Sequence, residues 1–295
     1  MKICCASTWP TARATWWARP PTSSASARTS ASSPLRAAFR RLNAKGAKLD
    51  PGCTGQLACV QALDVLGCAD ESLFMKAVST IQREPAWGGA QDTAAGLRSQ
   101  AVWSLTRLGP SDLLILLSQA LLDESERVQE EAARCIGIYG HPHGLALLHL
   151  ALGHPKRPPR GLSPGLAFSA LRSMLALDAA AGLDWARQAL QIEHPLLPEL
   201  LLAIGESREE EGLSLLQHAL AHHHAPAALT AAGLLRSEAA RDWLLDLLAS
   251  EDRPVAKPAL EALKVYAFQG DTLANARRAA ARNPYWEADV DGVLG

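Results

Sequence analysis

A nine-residue apolar segment recurs five times in this chain of 295 residues, at intervals of about thirty residues. The clearest copies read "GLALLHLAL", "GLDWARQAL" and "GLSLLQHAL" and begin at Gly144, Gly182 and Gly212. Looser copies begin at Leu113 and Ala240, so successive starts are 31, 38, 30 and 28 residues apart. Self-similarity at such a period indicates an array of structural repeats, in which each unit packs on its neighbours.

Each repeat is predicted to be a pair of helices. In the copy at Gly144, leucines three and four residues apart fall on one face of a helix. A second helix precedes it, because residues 96–109 align without gaps on residues 127–140. Both segments end in glycine, which suits the left-handed conformation just beyond a helix end. We therefore expect Gly109 and Gly140 to end helices.

The run "ESERVQEEAARCIGIYGHPHGLALLHLAL" (124–152) combines an acidic turn, a valine, paired alanines, an apolar–glycine pair and a leucine helix. This pattern resembles the HEAT repeats, in particular the short HEAT-like repeats also found in phycobilisome lyases, and "AIGESREEEGLSLLQHAL" (203–220) resembles its second half. The resemblance implies an all-α fold, an α-α superhelix or HEAT-like α-solenoid of about seven helical hairpins over residues 34–283. It is specific for the fold and not for a function, since such repeats serve many unrelated tasks.

The composition agrees with a helical protein outside the membrane. Only 5% of the residues are aromatic, and valine and isoleucine are scarce beside leucine and alanine, which leaves little material for strands. The longest apolar runs are about ten residues, well short of the roughly 20 that cross a bilayer. Six cysteines, at positions 4, 5, 53, 59, 68 and 135, have neither paired nor metal-type spacing, which predicts reduced, mostly buried thiols in a cytoplasmic protein.

Charge is distributed unevenly along the chain. Residues 1–49 contain nine basic residues and no acidic one. The rest of the chain has 20 basic against 30 acidic residues, a formal charge of about −10. An acidic body repels phosphate, so we expect it not to bind nucleic acid.

The two ends of the chain lack the repeat pattern. Residues 1–33 are rich in Ser, Thr, Ala, Pro and Arg, include three of the eight tryptophans, and show no helical periodicity before Pro34. Three interpretations of this segment remain open: a disordered tail, a transit peptide, and a sequence that is not the native N-terminus. Residues 284–295 are expected to form a C-terminal tail after a polar closing helix.

Two insertions interrupt the repeats. The step of 38 residues contains "HPKRPPRGLSP" (His154 to Pro164). Its prolines stop a helix, and its extra length predicts a protruding basic loop. A second insertion, "REPAWGGAQDTAA", covers residues 83–95.

No residue pattern predicts catalysis, a metal or a cofactor. His218 and His222 are four residues apart and two more histidines follow, but no nearby carboxylate or thiol completes a metal site, and histidines suit a helix end. The chain lacks the His-Glu pairs of HEAT-like metal-dependent hydroxylases, a glycine-rich phosphate loop and a Ser/His/Asp pattern. Cys135 falls at a small-residue position of a repeat helix, which favours packing over reactivity.

These observations favour a non-catalytic scaffold or adaptor that binds a protein partner, with its oligomeric state left open. The alternative is an enzyme, or an enzyme accessory subunit, of the phycobilisome-lyase type. The resemblance implies that the second helices, which are the helices at residues 96–109 and 127–140 and their equivalents, line a concave surface. The side of these helices opposite their apolar stripe would therefore face the partner. The predicted partner-binding residues are Ser99, Trp103, Arg107, Glu130, Arg134 and Ile138.

The position of Trp103 defines a series along the repeats. Its equivalents in the other second helices are Gln61, Arg134, Ser169, Leu202, Thr230 and Glu261. An exposed tryptophan beside an arginine is typical of binding hot spots. A different interpretation is that Trp103 covers the insertion at residues 83–95 as a small satellite core.

Overall fold

The chain is an all-α, HEAT-like solenoid of stacked helical hairpins. The structure, a computed structural model, describes residues 25–221, 225–250, 253–268, 270–283 and 287–294. These residues form sixteen α-helices, four short 3-10 helices and one two-stranded sheet. The chain divides into two compact units between Ala101 and Val102.

The first unit contains three helices, a β-hairpin and the start of a fourth helix. Their bounds are α1 Ala25–Lys45, α2 Thr54–Val65, α3 Glu71–Val78, β1 Arg83–Ala86, β2 Gly89–Asp92 and α4 Ala95–Leu108, the last of which continues into the second unit. Helix α1 packs on α2. Phe39, Leu63 and Phe74 are fully buried and supply the largest side chains of the core.

Helix α1 begins at Ala25, nine residues before Pro34, where the sequence predicts the first helix to start. The segment 25–33 carries few apolar side chains, so it shows no periodicity, although Ser32 is buried. Proline inside a helix removes one backbone hydrogen bond, and here the helix continues on both sides of it. Residues 1–24 lie outside the described residues.

The insertion at residues 83–95 folds into an antiparallel β-hairpin, which the composition does not predict. Arg83 pairs with Asp92 and Ala86 with Gly89, so Trp87 and Gly88 form a two-residue turn. The strands carry no buried apolar face. Interactions other than apolar packing must therefore hold the strands in place.

Polar side chains hold the hairpin within the first unit. The Glu84 carboxylate accepts hydrogen bonds from the Gly52 N–H (2.8 Å) and from Gln82 Nε2 (2.7 Å). The Asp92 carboxylate accepts a hydrogen bond of 2.6 Å from Arg98 Nη1, and Arg98 is only 4% exposed. Charge-assisted hydrogen bonds of this kind are among the stronger ones in proteins, so they fix the hairpin without apolar packing.

The second unit is a continuous array of paired helices. Their bounds are α5 Leu113–Ala120, α6 Glu126–Tyr139, α7 Gly144–Leu152, α8 Pro164–Leu177, α9 Ala179–Gln191, α10 Leu197–Ser207, α11 Leu213–Ala221, α12 Ala225–Leu235, α13 Glu238–Ser250, α14 Arg253–Leu263, α15 Thr272–Ala280 and α16 Glu287–Leu294. Consecutive helices pair from α5/α6 to α15/α16, and the helices α6, α8, α10, α12, α14 and α16 also pack on one another in order. We call these six the even-numbered layer. The six hairpins of this unit confirm the predicted all-α solenoid fold.

The predicted tail at residues 284–295 contains helix α16. Val290 and Leu294 lie four residues apart and are buried, and α16 packs on α14 and α15. A single pair of apolar residues does not show a helical period in the sequence. Helix α16 extends the even-numbered layer beyond α14.

The recurring glycines have two separate structural causes. Gly109 and Gly140 have φ values of 66° and 71°, which confirms the predicted left-handed ends of α4 and α6. A Cβ atom at Gly144, Gly182 or Gly212 would lie 2.6, 2.7 or 2.5 Å from an apolar side chain of the preceding even-numbered helix. The glycine that opens each clear copy of the repeat therefore lets the chain at that point approach the preceding even-numbered helix closely.

A buried histidine lies between α9 and α10. His194 is 3% exposed, and its Nδ1 atom accepts a hydrogen bond of 3.2 Å from the Leu196 N–H. Its ring lies 6.0 Å from that of Trp185, and its Nε2 atom has no hydrogen-bond partner among the described residues. Burial lowers the pKa of His194 below its usual value.

Acidification is therefore expected to destabilise the protein. An unfolded imidazole binds a proton near pH 6.5 and the folded one at lower pH, so the free energy of unfolding falls as the pH drops below about 6.5. The His194→Asn variant keeps an acceptor for the Leu196 N–H but does not titrate, so its urea midpoint should vary less between about pH 7 and pH 5. An unchanged pH dependence in this variant would assign the effect to another group.

Candidate protein-binding surface

The predicted series lies on the second helix of successive hairpins. In the second unit it consists of Trp103 on α4, Arg134 on α6, Ser169 on α8, Leu202 on α10, Thr230 on α12 and Glu261 on α14. Each of these side chains is exposed or half-buried. Since α6 to α14 pack on one another in order, five of these residues lie on consecutive helices of the even-numbered layer. Gln61, in the first unit, is exposed on α2.

Trp103 and Arg134 are in direct contact. The guanidinium carbon of Arg134 lies 4.8 Å from the centre of the Trp103 ring, within the range of a cation–π interaction. The Nε and Nη2 atoms of Arg134 also donate hydrogen bonds to the Glu131 carboxylate, the first at 3.2 Å. Its side chain is still 42% exposed. The arginine is thus held on two sides while part of its surface faces solvent.

Exposed apolar and aromatic side chains also lie at the end of α6. Ile138 lies one helical turn beyond Arg134 and is 39% exposed. Tyr139 is also exposed, its ring stacks on His141 at 5.7 Å, and His141 meets the edge of His143 at 4.8 Å. Tyr139 is not among the partner-binding residues predicted from the sequence. An aromatic residue immediately before the helix-ending glycine is the signal that could have identified it.

We call Trp103, Arg134 and Ile138 the Trp103 surface. Ile138 is exposed, Trp103 is half-buried, and the side chain of Arg134 is 42% exposed. Arg107 is half-buried on α4. Ser99 differs from the prediction, and Glu130 is half-buried in a contact with another helix.

Ser99 is buried, at 7% exposure, and does not lie on an accessible surface. The sequence places it opposite the apolar stripe of α4, which would expose it on a helix covered on one side only. Helix α4 is instead covered around most of its circumference, as its buried residues show: Leu97, Arg98, Ser99, Ala101, Val102, Ser104, Leu105 and Thr106. Polarity alone therefore does not indicate exposure on this helix.

Glu130 is half-buried and belongs to a helix contact. Its carboxylate lies where a Cβ atom of Gly165 would be, in the first turn of α8. Burial, and then the charge of Glu126, raise the pKa of Glu130. A carboxylate near a helix start is favourable, and the glycine leaves room for it. Glu130 therefore contributes to the packing of α6 on α8.

The described residues contain no group of three or more His, Cys, Asp or Glu side chains that could hold a metal ion. His222, His223 and His224 lie outside the described residues. Cys135 is fully buried, which confirms that it packs, and burial raises the pKa of its thiol. Such a thiol stays protonated and is a poor nucleophile.

Together these features define an α-solenoid repeat protein. A family model described as HEAT repeats matches residues 89–161, which include the Trp103 surface. The match covers 73 of the 295 residues and supports a HEAT-repeat family in general, so a relation to the phycobilisome lyases stays a prediction. No curated protein matches the chain. None of the helices in the described ranges is both long and apolar enough to span a bilayer.

Proposed function

We propose that this protein is a non-catalytic scaffold that binds a protein partner through the Trp103 surface. The observation that carries the proposal is the half-exposed Arg134, stacked on Trp103 and hydrogen-bonded to Glu131. Helical-repeat proteins bind their partners along extended surfaces formed by successive repeats. In the HEAT-type arrangement the even-numbered layer would line the concave side.

Binding through Arg134 would have a low entropic cost. An arginine that is already fixed loses little conformational freedom when a partner covers it. Tryptophan and arginine are the residues most enriched at binding hot spots, and the exposed Ile138 lies one helical turn beyond Arg134. The competing interpretation is that Trp103 serves only as part of a satellite core.

The double variant Trp103→Ala, Arg134→Glu is expected to lose its partner and keep its fold. Hot-spot residues lower affinity by about 30-fold or more each when truncated. Proteins captured by the wild type and absent from the variant would be identified by quantitative mass spectrometry. Direct binding of the purified candidate would then be measured by isothermal titration calorimetry.

A matched control changes exposed apolar residues on other helices. Ile115 on α5 and Leu150 on α7 are exposed, so the variant Ile115→Ser, Leu150→Ser should bind the same partner as the wild type. Unchanged capture by the Trp103/Arg134 variant, with a melting temperature several degrees lower, would favour the satellite core and contradict the proposal.

A further inference from the structure

The loop between α7 and α8 concentrates positive charge on an acidic part of the chain. Residues 102–295 contain 17 basic and 24 acidic residues, a formal charge of −7. Three of the basic residues, Lys156, Arg157 and Arg160, lie within five positions, and all three are exposed. None of them belongs to an ion pair in the part of the chain that the structure describes. We call residues 153–163 the basic loop.

The backbone of the basic loop is fixed by several contacts. Trp185 is buried, and its Nε1 atom donates a hydrogen bond of 2.9 Å to the Gly153 carbonyl. The N–H groups of Lys156 and Arg157 donate to Nδ1 (3.1 Å) and to the carbonyl oxygen (2.7 Å) of His154. The loop also contains three prolines, at positions 155, 158 and 159, which restrict its backbone further. The three cations therefore lie on an ordered loop. This loop is an insertion that the other repeats lack.

We propose that the basic loop binds an acidic segment of a protein partner, a short stretch of consecutive glutamate or aspartate residues. Two guanidinium groups and one ammonium group, which form no ion pairs among the described residues, match several carboxylates. The planar guanidinium binds a carboxylate through two parallel hydrogen bonds. Because the loop is ordered before binding, less conformational entropy is lost on association. This site is separate from the Trp103 surface and does not depend on the function proposed for that surface.

The surrounding charge favours a short peptide over a nucleic acid. A nucleic acid carries phosphates along its whole length, and those beyond the loop would approach a unit with a net charge of −7. Charges on a protein surface interact over a Debye length of about 8 Å at physiological salt, so repulsion would begin just outside the loop. An acidic segment of a few residues avoids this repulsion.

The test uses the full chain and a fluorescein-labelled peptide of about eight glutamates, with a glutamine peptide of the same length as the neutral probe. Fluorescence anisotropy should show binding of the glutamate peptide that weakens as sodium chloride is added. The variant Lys156→Ala, Arg157→Ala, Arg160→Ala should bind it about tenfold more weakly, because individual exposed ion pairs contribute little but three of them add up. Equal affinities for the two peptides would overturn the proposal.

The matched control neutralises three exposed cations elsewhere, Arg127, Lys257 and Arg278, and changes the net charge by the same amount. Its affinity for the glutamate peptide should stay within about twofold of the wild type. Equal losses in the two triple variants would show that net charge alone is responsible and would also overturn the proposal.

Two further measurements distinguish binding at the basic loop from binding at the Trp103 surface and from nucleic-acid binding. The Trp103→Ala, Arg134→Glu variant should keep its affinity for the glutamate peptide, so a failure of the Trp103 surface as a binding site would leave this result intact. A short DNA duplex should bind more weakly than the peptide. Tighter binding of the duplex, lost in the loop variant, would identify a nucleic-acid site and contradict the proposal.

Discussion

Replacing Gly205 with alanine is expected to lower the free energy of unfolding by about 2–3 kcal/mol, although alanine is the better helix former. A Cβ atom at this position would lie 2.7 Å from the Cα and 2.9 Å from the carbonyl carbon of Ala231 on α12. These are backbone atoms and cannot rotate away, so α10 and α12 would have to separate. The separation would reduce the packing of two neighbouring helices of the even-numbered layer.

Thermal unfolding followed by circular dichroism would measure this effect, with Gly292→Ala as the matched control. Gly292 is also helical, but a Cβ atom there would have no neighbour within 4 Å, so alanine should be neutral or stabilise by up to about 1 kcal/mol. Because a repeat array need not unfold in a single step, hydrogen exchange of the α10 and α12 amides should be followed in parallel. A Gly205→Ala variant as stable as the wild type would show that the two helices are not in backbone contact.

The Asp92→Ala variant is expected to lose about 3–5 kcal/mol of stability, because it leaves the buried guanidinium of Arg98 without its carboxylate. Asp92 also accepts hydrogen bonds from the backbone N–H groups of Gln82 (3.1 Å) and Ala94 (3.0 Å). Removal of this one side chain therefore frees the hairpin as well as the arginine. Chemical denaturation and the melting temperature would report the loss.

Two controls separate the buried charge from a general effect of losing an aspartate. Asp112 is exposed just before α5 and makes no capping hydrogen bond, so Asp112→Ala should change stability by less than about 0.5 kcal/mol. If loss of the carboxylate beside Arg98 is the cause, the double variant Asp92→Ala, Arg98→Leu should be more stable than Asp92→Ala alone. A double variant less stable than the single one would contradict this explanation.

The stabilisation by Asp92 is also expected to depend on pH. Burial raises the pKa of Asp92, but the hydrogen bonds from Arg98, Ala94 and Gln82 and the charge of Arg98 lower it more, so the folded pKa lies below the usual value. Its contribution is present above about pH 4 and is lost as the pH falls through the folded pKa. The stability difference between the wild type and Asp92→Ala should therefore shrink below about pH 4.

The parts of the fold that were predicted correctly depend on residues close together in the chain. Leucines three and four positions apart identify the apolar face of α7, and Gly109 and Gly140 mark the ends of α4 and α6. The segments that were missed depend on partners further away. The β-hairpin is held by hydrogen bonds from Gly52 and Arg98. Among the described residues of α16, the buried apolar ones are Val290 and Leu294.

In the candidate site, too, some features follow from the repeat alignment and others depend on which helices pack nearby. The gapless alignment of residues 96–109 with 127–140 predicts that Trp103 and Arg134 occupy equivalent positions, and the two side chains are in contact. The alignment treats Ser99 and Glu130 in the same way, but Ser99 is buried and Glu130 lies against Gly165. Equivalent positions in a repeat share a direction on the helix, but they do not share what covers them.

The sequence by itself determined that the chain is a helical repeat array, which faces its helices bury and where several of them end. These properties follow from spacings of three and four residues and from glycine at helix ends. Only the tertiary structure decided which polar residues remain accessible. That depends on the distance between neighbouring helices, which small residues such as Gly137, Gly205 and Gly233 set by allowing close approach of the next helix. A change of one methyl group at such a position alters the surface as well as the core, because it moves whole helices.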